Sequence, residues 1–157
     1  RKEVGDNYPI LIKMNADDFV ENGLKPEESV KIAKRLEELG LDAIEVSGGM
    51  YESGAKTAQL NILKTEQEAY FRSSSGLFKK ELNIPVILVG GIRSKPVAED
   101  VIQKGDADLI SISRPLIREP DLPNKFMAGK EKADCISCNG CMRFQKLDMV
   151  KCTQLNG

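Results

Sequence analysis

Histidine is missing altogether from this 157-residue chain. Imidazole, the side chain whose ordinary pKa lies near neutrality, is therefore unavailable here as a base, a metal ligand or a substrate anchor. An excess of either charge is missing too: 23 Lys and Arg stand against 24 Asp and Glu, which leaves no broad basic face to argue for nucleic acid. No apolar run approaches the roughly 20 residues that a bilayer-spanning helix needs. Nothing after Arg1 reads as a secretory leader. No G-x-G-x-x-G follows the first candidate strand, so the usual dinucleotide fingerprint is absent. What remains, 41% apolar and 30% charged residues, suits a soluble globular domain with one core.

Cysteine is sparse and local. Its four copies, Cys135, Cys138, Cys141 and Cys152, form a C-x2-C-x2-C-x10-C run in the last quarter of the chain. Three thiolates in one short loop and a fourth from a following turn suit either a [4Fe-4S] cluster or tetrahedral zinc, and the spacing leaves both open. Two disulfides are the weaker reading, because C-x2-C pairs bridge poorly and no export signal is present.

Ahead of the cysteines, strand and helix patterns alternate. Residues 8–15 read as a buried strand. Pro26, Glu27 and Glu28 open an amphipathic helix that carries Val30, Ile32, Ala33, Leu36 and Leu39 and stops at Gly40. Residues 43–47 form a second strand, broken by Gly48 and Gly49. A loop from Met50 to Leu60, long enough to be functional, leads to a helix expected around Glu66 to Lys80. Residues 85–89 make a third strand, Pro96 to Lys104 a helix, and residues 107–113 a fourth strand, followed by a Pro-bearing turn and the cysteine tail. Four such alternations predict parallel strands joined by right-handed crossovers. Polar residues at the strands' C-terminal ends favour an α/β fold in which residues 1–130 are half of a (β/α)8 barrel and residues 131–157 a tail. A whole barrel takes about 250 residues, so roughly four βα units are expected upstream.

The strand ends carry the candidate chemistry. Gly90-Gly91-Ile92-Arg93 after the third strand and Ser113-Arg114 after the fourth suggest a phosphate site, since glycine lets backbone N–H groups approach an anion and arginine adds charge-assisted bonds. The alternative is a tight turn with Arg114 on the surface. Lys13 ends the first strand on an apolar stem, so its ammonium could reach the barrel mouth and stabilise a developing anion, or simply be solvated. Residues 47–51 either line the substrate side or turn over the rim.

Four motifs in order carry a resemblance: YPILIKMN (8–15), GLDAIEVSGG (40–49), IPVILVGGIR (84–93) and ADLISISRPLIREPDL (107–122). From Tyr8 onward the chain resembles the C-terminal half of the TIM barrel in the Old Yellow Enzyme-like NADH:flavin oxidoreductases. The tail, CISCNGC with KCTQ at 151–154, is similar to the iron-sulfur segment of the trimethylamine dehydrogenase and dienoyl-CoA reductase branch. The resemblance implies FMN and a [4Fe-4S] cluster as cofactors. Lys13 matches the catalytic and cofactor-binding basic residue at the FMN pyrimidine edge, Gly90 and Gly91 the backbone that meets the phosphate, and Ser113 and Arg114 the Gly-Arg pair that completes it, with serine replacing glycine. Cys135, Cys138, Cys141 and Cys152 match the cluster ligands, the last interval being slightly short for that branch.

The same resemblance implies hydride transfer from NAD(P)H to an electrophilic acceptor such as an activated C=C bond. The family's histidine-containing substrate pair comes from the barrel's first half, which accounts for the missing imidazole. The piece is then expected to be inactive alone and to self-associate or pair with its missing half. No membrane or nucleic-acid partner is indicated, and reduced thiols favour the cytoplasm. The rival readings are a flavin-free phosphate-binding barrel with Lys13 as Schiff-base or acid-base residue, and a non-catalytic scaffold around structural zinc.

Overall fold

The computed structural model describes residues 1–143 and 149–155. Strand β1 (Leu11–Asn15) is followed by helix α1 (Pro26–Glu38), β2 (Ala43–Ser47), α2 (Arg72–Glu81), β3 (Val86–Leu88), α3 (Lys95–Gln103), β4 (Leu109–Ile110), α4 (Arg114–Arg118) and α5 (Leu122–Met127). The strands lie side by side in chain order, and every pairing is parallel. Four βα units with parallel strands in chain order amount to half of a (β/α)8 barrel.

Alternation along the strands sorts the two faces of the sheet. Ile12, Met14, Ile44, Val46 and Val86 pack with Val30 and Ala33 of α1 and with Phe78 and Leu82 of α2. Leu88, Ile110 and Ile112 pack with Val97, Ala98 and Val101 of α3 and with Phe71. The opposite face carries one rung in register, Lys13 beside Glu45, Glu45 beside Ile87, and Ile87 beside Leu109. Leu11 and Leu109 on that face are 54% and 53% exposed. In a closed barrel this face is the interior.

Several boundaries differ from the sequence reading. β1 starts at Leu11 rather than Tyr8, because Pro9 has no N–H and that of Ile10 goes to the Asp42 carboxylate at 2.6 Å. The helix expected from Glu66 begins only at Arg72. Thr65–Gln67 forms a single 3-10 turn, Glu68 is extended, and Ala69 takes a positive φ of 54° that breaks the helical path. Glu68 instead turns its carboxylate onto the N–H groups of Arg93 and Ser94, at 2.8 and 2.9 Å, and onto the Ser94 hydroxyl. The Pro-bearing stretch after β4 is two short helices, α4 and α5, rather than a turn.

The segment after α5 runs back along the start of α3. Lys95 N–H donates to Glu131, Ala133 N–H donates to Arg93, and Ser94 bridges Lys132. Asp134 N–H donates to the buried Glu119 carboxylate at 2.6 Å. These bonds deliver the cysteine loop to the C-terminal ends of β3 and β4.

Candidate functional site

Two cavities meet at those strand ends. The larger, of about 270 Å³, is walled by Lys13 and Asn15 of β1, by residues 47–49 after β2, by 89–92 after β3 and by 111–115 after β4. Lys13, Gly90, Gly91, Ser113 and Arg114, chosen from the sequence, therefore lie around one space. Arg93 does not join them. It is buried behind the glycine turn, where its guanidinium donates to the carbonyls of Ile62 and Ala133.

Gly91 has φ +70°, and a Cβ there would stand 2.6 Å from Cε1 of Tyr70. Glycine is thus required both by conformation and by the ring packed against it. Ser113 sits at φ −113°, so serine carries no left-handed strain at this position. Lys13 pairs with Glu45 on the neighbouring strand, and its side chain is 56% exposed. A half-exposed pair of this kind contributes under about 1 kcal/mol, so the ammonium separates from it readily.

Asn15 ties the mouth together. Its Nδ2 donates to Asp18 and to the Gly49 carbonyl, both at 2.9 Å, and its Oδ1 accepts from Ser47. The Asn15 bond and the Leu24 N–H hold the Asp18 carboxyl below the usual range. Residues 47–49 line the cavity, whereas Tyr51 stands 96% exposed on the rim. Sequence reasoning missed the aromatic wall: Tyr70 meets Phe71 edge to face at 4.6 Å, and Phe71 stacks on Phe19 at 6.2 Å. Burial pushes the Tyr70 phenol up, against the opposing pull of Arg114. The Tyr-Phe doublet within a polar stretch was the available signal.

The second cavity is lined by Cys135, Cys138, Cys141 and Cys152 together with Arg114, Ile117 and Arg118 of α4. All four thiols are free, and Cys135 and Cys141 are buried. Arg118 Nη1 reaches Cys152 Sγ at 3.6 Å. Burial pushes the Cys141 thiol up, and the neighbouring Cys135 adds to the shift. Among the described residues no group of three or more Cys, Asp or Glu is already drawn into ion-binding geometry. The donor set itself, four sulfurs beside two guanidinium groups with no carboxylate among the described residues of the wall, fits a thiolate-held iron or zinc centre.

The cavities share a wall. Arg114, 9% exposed, lines both of them, and Ser137 and Met142 of the cysteine loop line the larger one. Arg114 Nη1 donates to the Gln59 carbonyl at 2.7 Å and to Oδ1 of Asn139.

Residues 1–133 match the NADH:flavin oxidoreductase / NADH oxidase family. The chain belongs to that family. It is 40% identical over 98% of its length to an NADH oxidase of Thermoanaerobacter brockii, of which it covers 24%. It is 34% identical over 90% of its length to a metal reductase of Desulforamulus reducens, covering 21% of that protein. The chain thus spans about a quarter or less of these two relatives. Among solved structures, a 2-naphthoyl-CoA reductase complex superposes with a TM-score of 0.75 at 30% identity, over 90% of this chain and 21% of the other. Histamine dehydrogenase from Rhizobium sp. 4-9 gives 0.69 at 22% identity, over 82% of this chain and 18% of the other, a likeness of fold. These likenesses show the four βα units of this family member to be part of a TIM barrel.

Proposed function

We propose that the chain holds the phosphate end of FMN and a [4Fe-4S] cluster within an NAD(P)H-dependent oxidoreductase, residues 1–130 forming the flavin-binding half barrel and 131–157 the cluster-binding tail. The observation that carries this reading is the wall shared by the two cavities, with Arg114 facing both the glycine-lined pocket and the four thiols. FMN supplies a hydride relay between a reduced nicotinamide and an electrophilic acceptor such as an activated C=C bond, and the cluster a one-electron path.

Each residue has a defined task. Gly90 and Gly91, both at positive φ, turn backbone toward the phosphate, and Arg114 gives it charge-assisted bonds beside Ser113. Lys13, released from Glu45, lowers the cost of negative charge at the ring's pyrimidine edge. Tyr70 and Phe71 keep water from the pocket floor. Cys135, Cys138, Cys141 and Cys152 ligate the iron. With no histidine in the chain, groups that orient an acceptor carbonyl come from the rest of the barrel. The exposed inner rung and the strand edges at β1 and β4 suit pairing with that other half, so the piece alone is inactive. The reduced thiols suit a cytoplasmic setting. Among the described residues no helix is long and apolar enough to cross a membrane.

A visible spectrum with iron and zinc analysis, on protein of natural length purified without oxygen, tests the proposal. Flavin bands with a broad iron-sulfur shoulder are expected. Colourless protein holding zinc would overturn it in favour of a scaffold, and colourless protein without metal would favour a flavin-free barrel enzyme.

A further inference from the structure

Asn139, between the second and third cysteines of the tail, has no role among the ligands, yet its side chain is the junction of three segments. Its Oδ1 accepts from Arg114, and its Nδ2 donates to the Ala58 carbonyl at 2.7 Å. Beside it Arg114 also donates to the Gln59 carbonyl at 2.7 Å, and Asn61 N–H donates to the Ser137 carbonyl at 3.0 Å. Residues 58–61 are thereby stitched to the cysteine loop on one side and to Arg114 on the other. The backbone at Asn139 is left-handed, φ 55° and ψ 16°, a conformation that asparagine tolerates better than most residues. A side chain there can point back along the loop only while the turn between Cys138 and Cys141 keeps this shape.

We propose that Asn139 is a positioning residue that couples the state of the cysteine loop to retention of the flavin phosphate, by fixing the Arg114 guanidinium toward the larger cavity. This rests on the flavin and cluster reading above. When the loop is held by its metal, Asn139 presents its amide to Arg114 and Ala58 together. When the loop loosens, Arg114 loses one of two neutral acceptors and no longer points in one direction. Because coupling between two sites is reciprocal, bound FMN protects the cluster by the same factor by which the cluster tightens FMN. The effect passes through the guanidinium, so it acts on the phosphate and not on the ring.

The decisive variant is Asn139→Gly, which keeps the left-handed backbone and removes only the side-chain ties. FMN and riboflavin are titrated, by flavin fluorescence, into deflavinated protein of natural length, wild type and variant, with iron measured in each. The proposal expects unchanged iron, FMN affinity weakened about tenfold from the loss of an orienting bond to a charged group, and riboflavin affinity unchanged. In the wild type, removing iron with a chelator weakens FMN by a similar factor; in Asn139→Gly it changes little. Equal losses for FMN and riboflavin would show a merely structural role and overturn the proposal, as would an unchanged FMN affinity. Wild-type protein that binds FMN but shows no change in the variant sinks only this coupling, whereas wild-type protein that binds no FMN sinks the flavin reading with it.

Discussion

Gly91→Ala separates conformational cost from crowding at the pocket turn. At φ +70° an alanine pays about 1–2 kcal/mol for left-handed backbone. Its Cβ would also lie 2.6 and 2.9 Å from Cε1 and Cδ1 of Tyr70, and forcing a methyl group into packed surroundings adds about 1–3 kcal/mol. The sum is about 2–5 kcal/mol. Gly105→Ala is the control, with φ +71° but nothing within 4 Å of its added Cβ, so it should show the conformational part alone. Urea denaturation midpoints, compared at constant m-value, give both numbers. A third measurement, Gly91→Ala in a Tyr70→Ala background, should recover the crowding part, because the atoms met by the new methyl are gone and the two changes are then non-additive. Equal destabilisation by Gly91→Ala and Gly105→Ala, or strict additivity with Tyr70→Ala, would refute the view that the aromatic ring dictates glycine here.

Arg114→Gln should weaken FMN binding about 10- to 100-fold, the range for losing hydrogen bonds to a charged group, while riboflavin binding falls less; fluorescence titration measures both. Cys138→Ser should abolish the iron-sulfur absorption and lower bound iron, with far-UV circular dichroism retained. Glu119 supplies a pH test: burial raises its carboxyl pKa, but the Lys130 ammonium and the Asp134 N–H more than offset this and leave it lowered. Its contribution is therefore complete above the unfolded value of about 4.3 and is lost as pH falls through the lower folded value. Glu119→Gln should be less stable than wild type at pH 7, and the gap should narrow progressively as pH falls below the unfolded value, as read from thermal midpoints; a gap that stays constant on acidification would contradict the assignment.

Much of the fold could be read from residue pattern because the pattern and the packing agree. The apolar stripe of α1, its Pro26 start and its Gly40 stop are local signals, and they landed within a residue or two. The order of four parallel units followed from simple alternation. The delayed start of α2 was not legible, because it depends on Glu68 finding partners 25 and 26 residues away at Arg93 and Ser94. Similarly, Arg93 and Arg114 look alike in sequence, each following a strand end, but only Arg114 faces the cavities. What decides between them is the return of residues 131–133 along α3, which offers Arg93 the Ala133 carbonyl. The Lys13–Glu45 pairing depends on strand register, and the aromatic wall on a loop whose path no short-range rule gives.

The way the tail is fastened bears on how such a protein matures. Small zinc modules commonly remain unfolded until metal arrives, so that ion binding and folding are one event. Here the approach to the cysteines is secured by protein alone, through the main-chain bonds at Lys95 and Ala133, the Asp134 N–H on Glu119, and the Asn61 bond to Ser137. On the proposed reading, these ties, none of which involves a thiol, would hold the barrel end together independently of whatever centre the thiols receive. If the thiols hold a centre as proposed, stripping it would loosen the turn between Cys138 and Cys141 while the chain leading into that turn stays fastened, a local loss rather than a global one.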